Sequence, residues 1–155
     1  KKETKFIGDR LHLIEVKDGE ERTILNKKVT FFDIGSTKAK QFGFQMVYGD
    51  GKVLTCCGDE PYNECEEKYA KGSDWMFHEA FCLYSQRDSF NPYEKHHSTV
   101  KDACELARNL EVKNLVLYHT EDKNIKNRKE LYYNEGKEFY TGNLYIPDDL
   151  EVIEM

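Results

Sequence analysis

Val53-Leu54-Thr55-Cys56-Cys57-Gly58-Asp59, Trp75-Met76-Phe77-His78-Glu79 and Leu115-Val116-Leu117-Tyr118-His119 share one pattern: an apolar run that ends in a side chain able to hold a proton or a metal. Short apolar runs bounded by turn residues read as buried strands. Laid side by side, the three bring an aspartate, a histidine-glutamate pair and a second histidine to one rim of a sheet. In α/β proteins the rim beyond the strands' carboxyl ends is the usual ligand site.

Between the second and third runs lies the clearest helix. Thr99 with Asp102 three residues on resembles a capping box, and Val100, Ala103, Cys104, Ala107 and Leu110 form one apolar stripe. His97 and Ser98 therefore stand at a helix N-terminus, where free N–H groups and the dipole favour an anion. Pro61 is placed to open a helix over 62–71, and residues 80–92 read as a long loop, a length that is often functional. A further helix is expected over 125–139, followed by short closing strands at 144–146 and 150–153.

Upstream the chain reads as strands. Residues 11–16 lead to Asp18-Gly19, a hairpin signal, and then to 23–25 and 29–32. On this reading His12 alternates with Leu11 and Leu13 and faces solvent. Phe42 to Tyr48 turns at Gly49-Asp50-Gly51 and returns as Lys52 to Cys57, a second hairpin. The first sixty residues are mostly strand and the remainder alternates strand and helix. The expectation is α/β: a mixed sheet with flanking helices, fed by an antiparallel meander, in a single domain or half-domain over 1–155.

Length and composition set bounds on function. A chain of 155 residues can bury one ordinary core. Its net charge of −6 argues against a broad footprint for nucleic acid or anionic membrane, because that affinity comes from Lys and Arg neutralising phosphates. Lys123, Lys126, Arg128 and Lys129 are read as a solvated face. No run is long enough to span a membrane. Five cysteines without zinc-ribbon or redox spacing read as free thiols in a reducing compartment, so a cytoplasmic location is expected.

Read residue by residue, the rim leaves alternatives open. Asp59 after Gly58 is either a cation ligand or a turn aspartate, and His119 is either a ligand or a hydrogen-bonded strand end. Glu79 beside two imidazoles suits a carboxylate-histidine pair that fixes a tautomer for proton transfer. Catalytic zinc takes about three protein ligands. Asp59 and His119 supply two, with His78 or His97 needed as a third.

Gly58-Asp59, His78-Glu79-Ala80-Phe81, His97-Ser98-Thr99 and the Leu117-Tyr118-His119 strand end occur in the order and approximate spacing of the second half of the metallo-β-lactamase fold. They specifically resemble the ribonuclease Z group over roughly residues 30–155. The resemblance implies the second half of an αββα sandwich. It implies Asp59 and His119 as ligands of two divalent metal ions, with zinc expected first and manganese or iron as alternatives. It implies His97 as a catalytic histidine with Glu79 as its carboxylate partner, Ser98 and Thr99 as phosphate contacts, and His78 standing behind the ligands.

Three departures accompany it. The His-x-His-x-Asp-His cluster of such proteins lies in a first half not contained here, Gly35 stands about where a further ligand histidine is expected, and Phe81 replaces a threonine. The expected activity is a metal-dependent hydrolase of phosphodiesters or related esters, inactive as this chain alone. Its expected partner is a missing N-terminal half or a homodimer mate, and extended nucleic-acid binding is disfavoured. The alternative is a metal-free, inactive binding or assembly module of the same fold.

Overall fold

The computed structural model describes residues 10–155, so the charged opening at 1–5 lies outside the described residues. Among the described residues seven strands form one sheet in chain order. β1 (Glu21–Ile24), β2 (Lys27–Asp33), β3 (Phe42–Val47) and β4 (Val53–Cys56) are an antiparallel meander. β5 (Trp75–Glu79), β6 (Asn114–Tyr118) and β7 (Asn143–Tyr145) continue it in parallel.

Parallel neighbours need crossovers. The chain supplies them with α1 (Glu67–Ala70) before β5, α2 (Arg87–Phe90) and α3 (Val100–Asn109) before β6, and α4 (Arg128–Gly136) before β7. The period-two alternation of each strand sorts its side chains onto two faces. Met76, Leu115, Leu117 and Leu144 pack with Ala70, Ala103, Cys104, Ala107 and Tyr132 on the helix side. Burying a chain such as Met76 or Leu115 contributes about 1.5–3 kcal/mol. Leu54, Trp75 and Val116 point the other way, among partly buried Phe44, Tyr48, Phe77 and Tyr145.

The helix after the second run forms as its capping box dictates. Thr99 Oγ1 accepts from Asp102 N, and the Asp102 carboxylate accepts from Thr99 N at 2.9 Å.

Elsewhere the structure corrects the sequence reading. Residues 11–16 form no strand, and Leu13 is 94% exposed. The first hairpin turns instead at Leu25-Asn26, both left-handed at φ 50° and 60°. Asp18-Gly19 serves β2 differently: Asp18 Oδ1 accepts from Asp33 N, and Gly19 N donates to the Phe31 carbonyl. The helix expected over 62–71 is a 3-10 turn followed by α1, and it starts at Asn63, which forms a capping box with Glu66, rather than at Pro61. The expected loop at 80–92 contains α2, and the Glu135 carboxylate accepts from Tyr84 N and Ser85 N to hold it. The last helix is shorter than 125–139, and 150–153 form no strand, with Leu150 fully exposed. Short apolar runs carry no information about whether a neighbouring strand exists to pair with, and these two have none among the described residues.

Candidate functional site

The carboxyl ends of β4, β5 and β6 do converge, and left-handed backbone shapes the rim there. Gly58, at φ 80°, turns the chain after β4 and presents Asp59 to solvent. His119 is itself left-handed at φ 53°, directly after β6, and is exposed. His96, at φ 58°, turns the chain into His97. Non-glycine residues take this conformation at a cost that the surrounding structure must hold in place. A hydroxyl supplies one such restraint: Tyr118 O–H donates to the Gly58 carbonyl and ties the Asp59 loop to the end of β6.

His97 is brought to the rim by an extension of the sheet beyond β5. Ala80 N donates to the Tyr118 carbonyl, Phe81 N to the Ser98 carbonyl at 2.9 Å, and Cys82 bridges Thr99. Glu79 is fully buried at the end of β5; Oε1 accepts from Ser98 N, and Oε2 lies 3.4 Å from His97 Nδ1. Burial pushes the Glu79 carboxyl up to about 7, and burial also lowers His97, helped by the charges of His119 and Lys38. Near neutral pH the two therefore meet as a carboxyl and an imidazole competing for one proton. The His97 ring is stacked on Phe81 (centroids 5.1 Å apart) and tilted against His119 (4.9 Å).

His78 is buried behind Glu79, with Nδ1 2.7 Å from the Glu79 carbonyl. Ser98 and Thr99 are also buried, and the Thr99 hydroxyl is committed to the α3 cap by its bonds with Asp102. Of the expected phosphate contacts only the Ser98 hydroxyl is left uncommitted to the cap. The Asp33–Lys38 loop reaches the same rim through Ser36 Oγ, which donates to Glu60 Oε1 at 2.9 Å.

A divalent ion tests this arrangement. Asp59 and His119 offer donors of suitable chemistry from exposed positions. Among the described residues, however, no group of three or more His, Cys, Asp or Glu is placed to hold a metal. Position 35 cannot readily provide a further ligand, because Gly35 has φ 72° and a Cβ there would come 2.7 Å from Asn63 Nδ2. The residues present fit as two contributions to a shared centre and do not complete one.

Sequence reasoning assembled Asp59, Glu79, His97 and His119 but missed Tyr118 and Phe81 as parts of the rim. The aromatic strand end Tyr118, next to His119, was the available signal for the first. The stacking partner of His97 had no signal, because it depends on the turn at His96.

No family model matches the chain. Ribonuclease Z of Shouchella clausii (strain KSM-K16) is 31% identical over 105 residues, which is 68% of this chain and 32% of that protein. The chain thus spans about a third of the length of the curated relatives it matches. Among solved structures, the metallo-β-lactamase fold protein YhfI from Bacillus subtilis superposes with a TM-score of 0.72 at 15% identity, covering 91% of this chain and 55% of YhfI. The short form of human tRNase Z gives 0.62 at 23% identity, covering 83% and 43%. Sequence and sheet agree: this chain carries, in part, a ribonuclease Z-like metallo-β-lactamase fold.

Proposed function

We propose that the chain is the C-terminal part of a metal-dependent hydrolase of phosphodiesters or related esters, completed by a second segment that brings the remaining metal ligands. The Glu79–His97 pair carries this reading: a buried carboxyl raised to about 7 against an imidazole at an open rim is an arrangement for moving a proton near neutral pH. Asp59 and His119 are the chain's ligands, and a bound divalent ion, zinc before manganese or iron, supplies Lewis-acid activation of the ester. His97 donates a proton to the leaving oxygen and is reprotonated from solvent, Glu79 orients the ring and supports its charged form through Nδ1, and Ser98 contacts the substrate anion.

The second segment also answers the open face of the sheet, where Phe44, Tyr48, Phe77 and Tyr145 stay only partly covered. An apolar face of this kind marks an interaction surface.

Native mass spectrometry of the protein as isolated, with its metals, tests the reading. Co-purification with a second polypeptide and bound divalent ions is expected, with bis(p-nitrophenyl) phosphate hydrolysed by the complex. A metal-free species built from this chain alone sinks it and leaves a non-enzymatic binding module, the reading favoured by the two-donor count and by Gly35.

A further inference from the structure

The His97 imidazole has one polar contact among the described residues. Nδ1 faces the Glu79 carboxyl at 3.4 Å, longer than an ordinary hydrogen bond, and that contact fixes one atom. The second torsion of a histidine is broad, so a ring held at one atom can still turn. Packing behind it does not stop the turn, because His97 borders a cavity of about 250 Å³ that Tyr62, Tyr93 and Leu106 also line.

Phe81 supplies the restraint. Its ring is stacked on His97, centroids 5.1 Å apart and planes 25° from parallel, whereas His119 meets the imidazole at 40°. Phe81 is itself anchored. Its N–H donates to the Ser98 carbonyl, and its own carbonyl accepts from Glu121 N at 2.8 Å and from the Tyr132 hydroxyl at 2.9 Å. Phe90 stands edge-on to its ring at 6.1 Å, and the Lys95 ammonium lies 5.2 Å from the ring centre. The Lys95 carbonyl in turn accepts from Lys38 Nζ at 3.0 Å. Groups far apart in sequence therefore fix one aromatic plane, and both of its ring contacts have the geometry that aromatic pairs favour.

We propose that Phe81 is a positioning residue for proton transfer: its ring sets the plane of the His97 imidazole, so that Nε2, across the ring from Nδ1, meets the leaving oxygen at one angle. Water adds at phosphorus, the bond to the leaving oxygen breaks with its electron pair, and the Nε2 proton passes to that oxygen; solvent returns it. What receives the proton rests on the hydrolase reading above. The placement of the ring does not.

The test has two arms. In NMR spectra of this chain, the carbon-bound ring protons of His97 should show Overhauser contacts to the Phe81 ring and an upfield shift from it. The shift should vanish in Phe81→Leu, which keeps bulk without a flat face, and persist in Phe81→Tyr. In the complete protein, diphenyl phosphate needs the proton to release phenol, while bis(p-nitrophenyl) phosphate releases a stable phenolate and needs it little. Phe81→Leu should lower kcat roughly ten- to a hundredfold on the first ester and much less on the second, with KM little changed, and Phe81→Tyr should restore the first. Random-coil positions for the His97 ring protons in the unchanged chain, a reading that needs no variant to fold, would overturn the proposal. So would unmoved His97 signals in Phe81→Leu, or an equal loss on both esters. Failure of the unchanged complete protein to hydrolyse either ester overturns the hydrolase reading instead, so the two failures are told apart.

Discussion

His97 Nδ1 stands 3.4 Å from Glu79 Oε2, and neither atom has a hydrogen-bond partner elsewhere among the described residues. A general acid at this position depends on that contact, because a carboxylate facing Nδ1–H steadies the imidazolium. In the completed hydrolase His97→Ala is expected to lower kcat by about 10²–10⁴ with metal content unchanged. Glu79→Gln should fall in the same range, since an amide donating to Nδ1 holds the ring neutral. Asp59→Ala should lose metal as well as turnover. Steady-state kinetics paired with elemental analysis separates the three.

The Tyr118 hydroxyl holds the Gly58 carbonyl, and with it the turn that presents Asp59. Tyr118→Phe removes that bond and the weaker 3.8 Å contact of the hydroxyl with Cys56 Sγ. The expected loss of stability is about 0.5–1.5 kcal/mol, accompanied by weaker metal retention in the complete protein because the Asp59 loop is released. A denaturant titration and a metal-competition titration check the two halves. Unchanged metal affinity would sever Tyr118 from the site.

Glu66 is fully buried beneath the 3-10 turn that precedes α1, where Oε1 accepts from Asn63 N. Burial raises its carboxyl from 4.5 to about 7. The folded state therefore holds a proton that the unfolded state releases above 4.5, so stability falls as pH rises from about 4.5 to about 7, a window Glu79 shares. Glu66→Gln keeps the acceptor for Asn63 and removes the titration. It should stabilise the chain by about 1–2 kcal/mol above pH 7 and flatten the dependence of Tm on pH. A steeper dependence in the variant would refute the assignment.

Gly43 faces Phe32, which is fully buried and stacked on Tyr69 at 4.3 Å. A Cβ at 43 would enter the Phe32 ring and come 2.5 Å from the Cys56 carbonyl oxygen. Gly43→Ala is expected to cost about 1–3 kcal/mol through overpacking, measurable by urea denaturation. Phe32→Leu in the same background should recover part of that loss by making room.

The rim was legible because each of its acids and bases ends a run whose burial is set by the sheet, and a buried run has to surface somewhere. α3 was legible for a local reason, since Thr99 and Asp102 satisfy each other's backbone within one turn. The misreadings concern pairing. Residues 11–16 and 150–153 have strand-like composition, but whether such a run becomes a strand depends on a free sheet edge, which is a tertiary fact. The Asp18-Gly19 turn was mistaken for a hairpin because a left-handed glycine turn looks alike whether it reverses a strand or caps one. The cavity behind His97 could not be read at all: Tyr62 comes from the crossover before β5 while Tyr93 and Leu106 come from the one before β6, and no spacing along the chain links them.

Every strand of this sheet lies beside its predecessor in sequence. Its assembly consequently needs no strand to wait for a distant partner or to thread between two already in place. Loop closure is short in the β1–β4 meander, whereas each parallel addition from β5 onward closes a longer crossover and is the slower step. As the polypeptide leaves the ribosome, the β2–β3 hairpin can form first and each later segment can add to an edge already present. Pulse-labelled amide exchange should show protection advancing from β2 toward β7, with the rim side chains reaching their places only when β6 has docked.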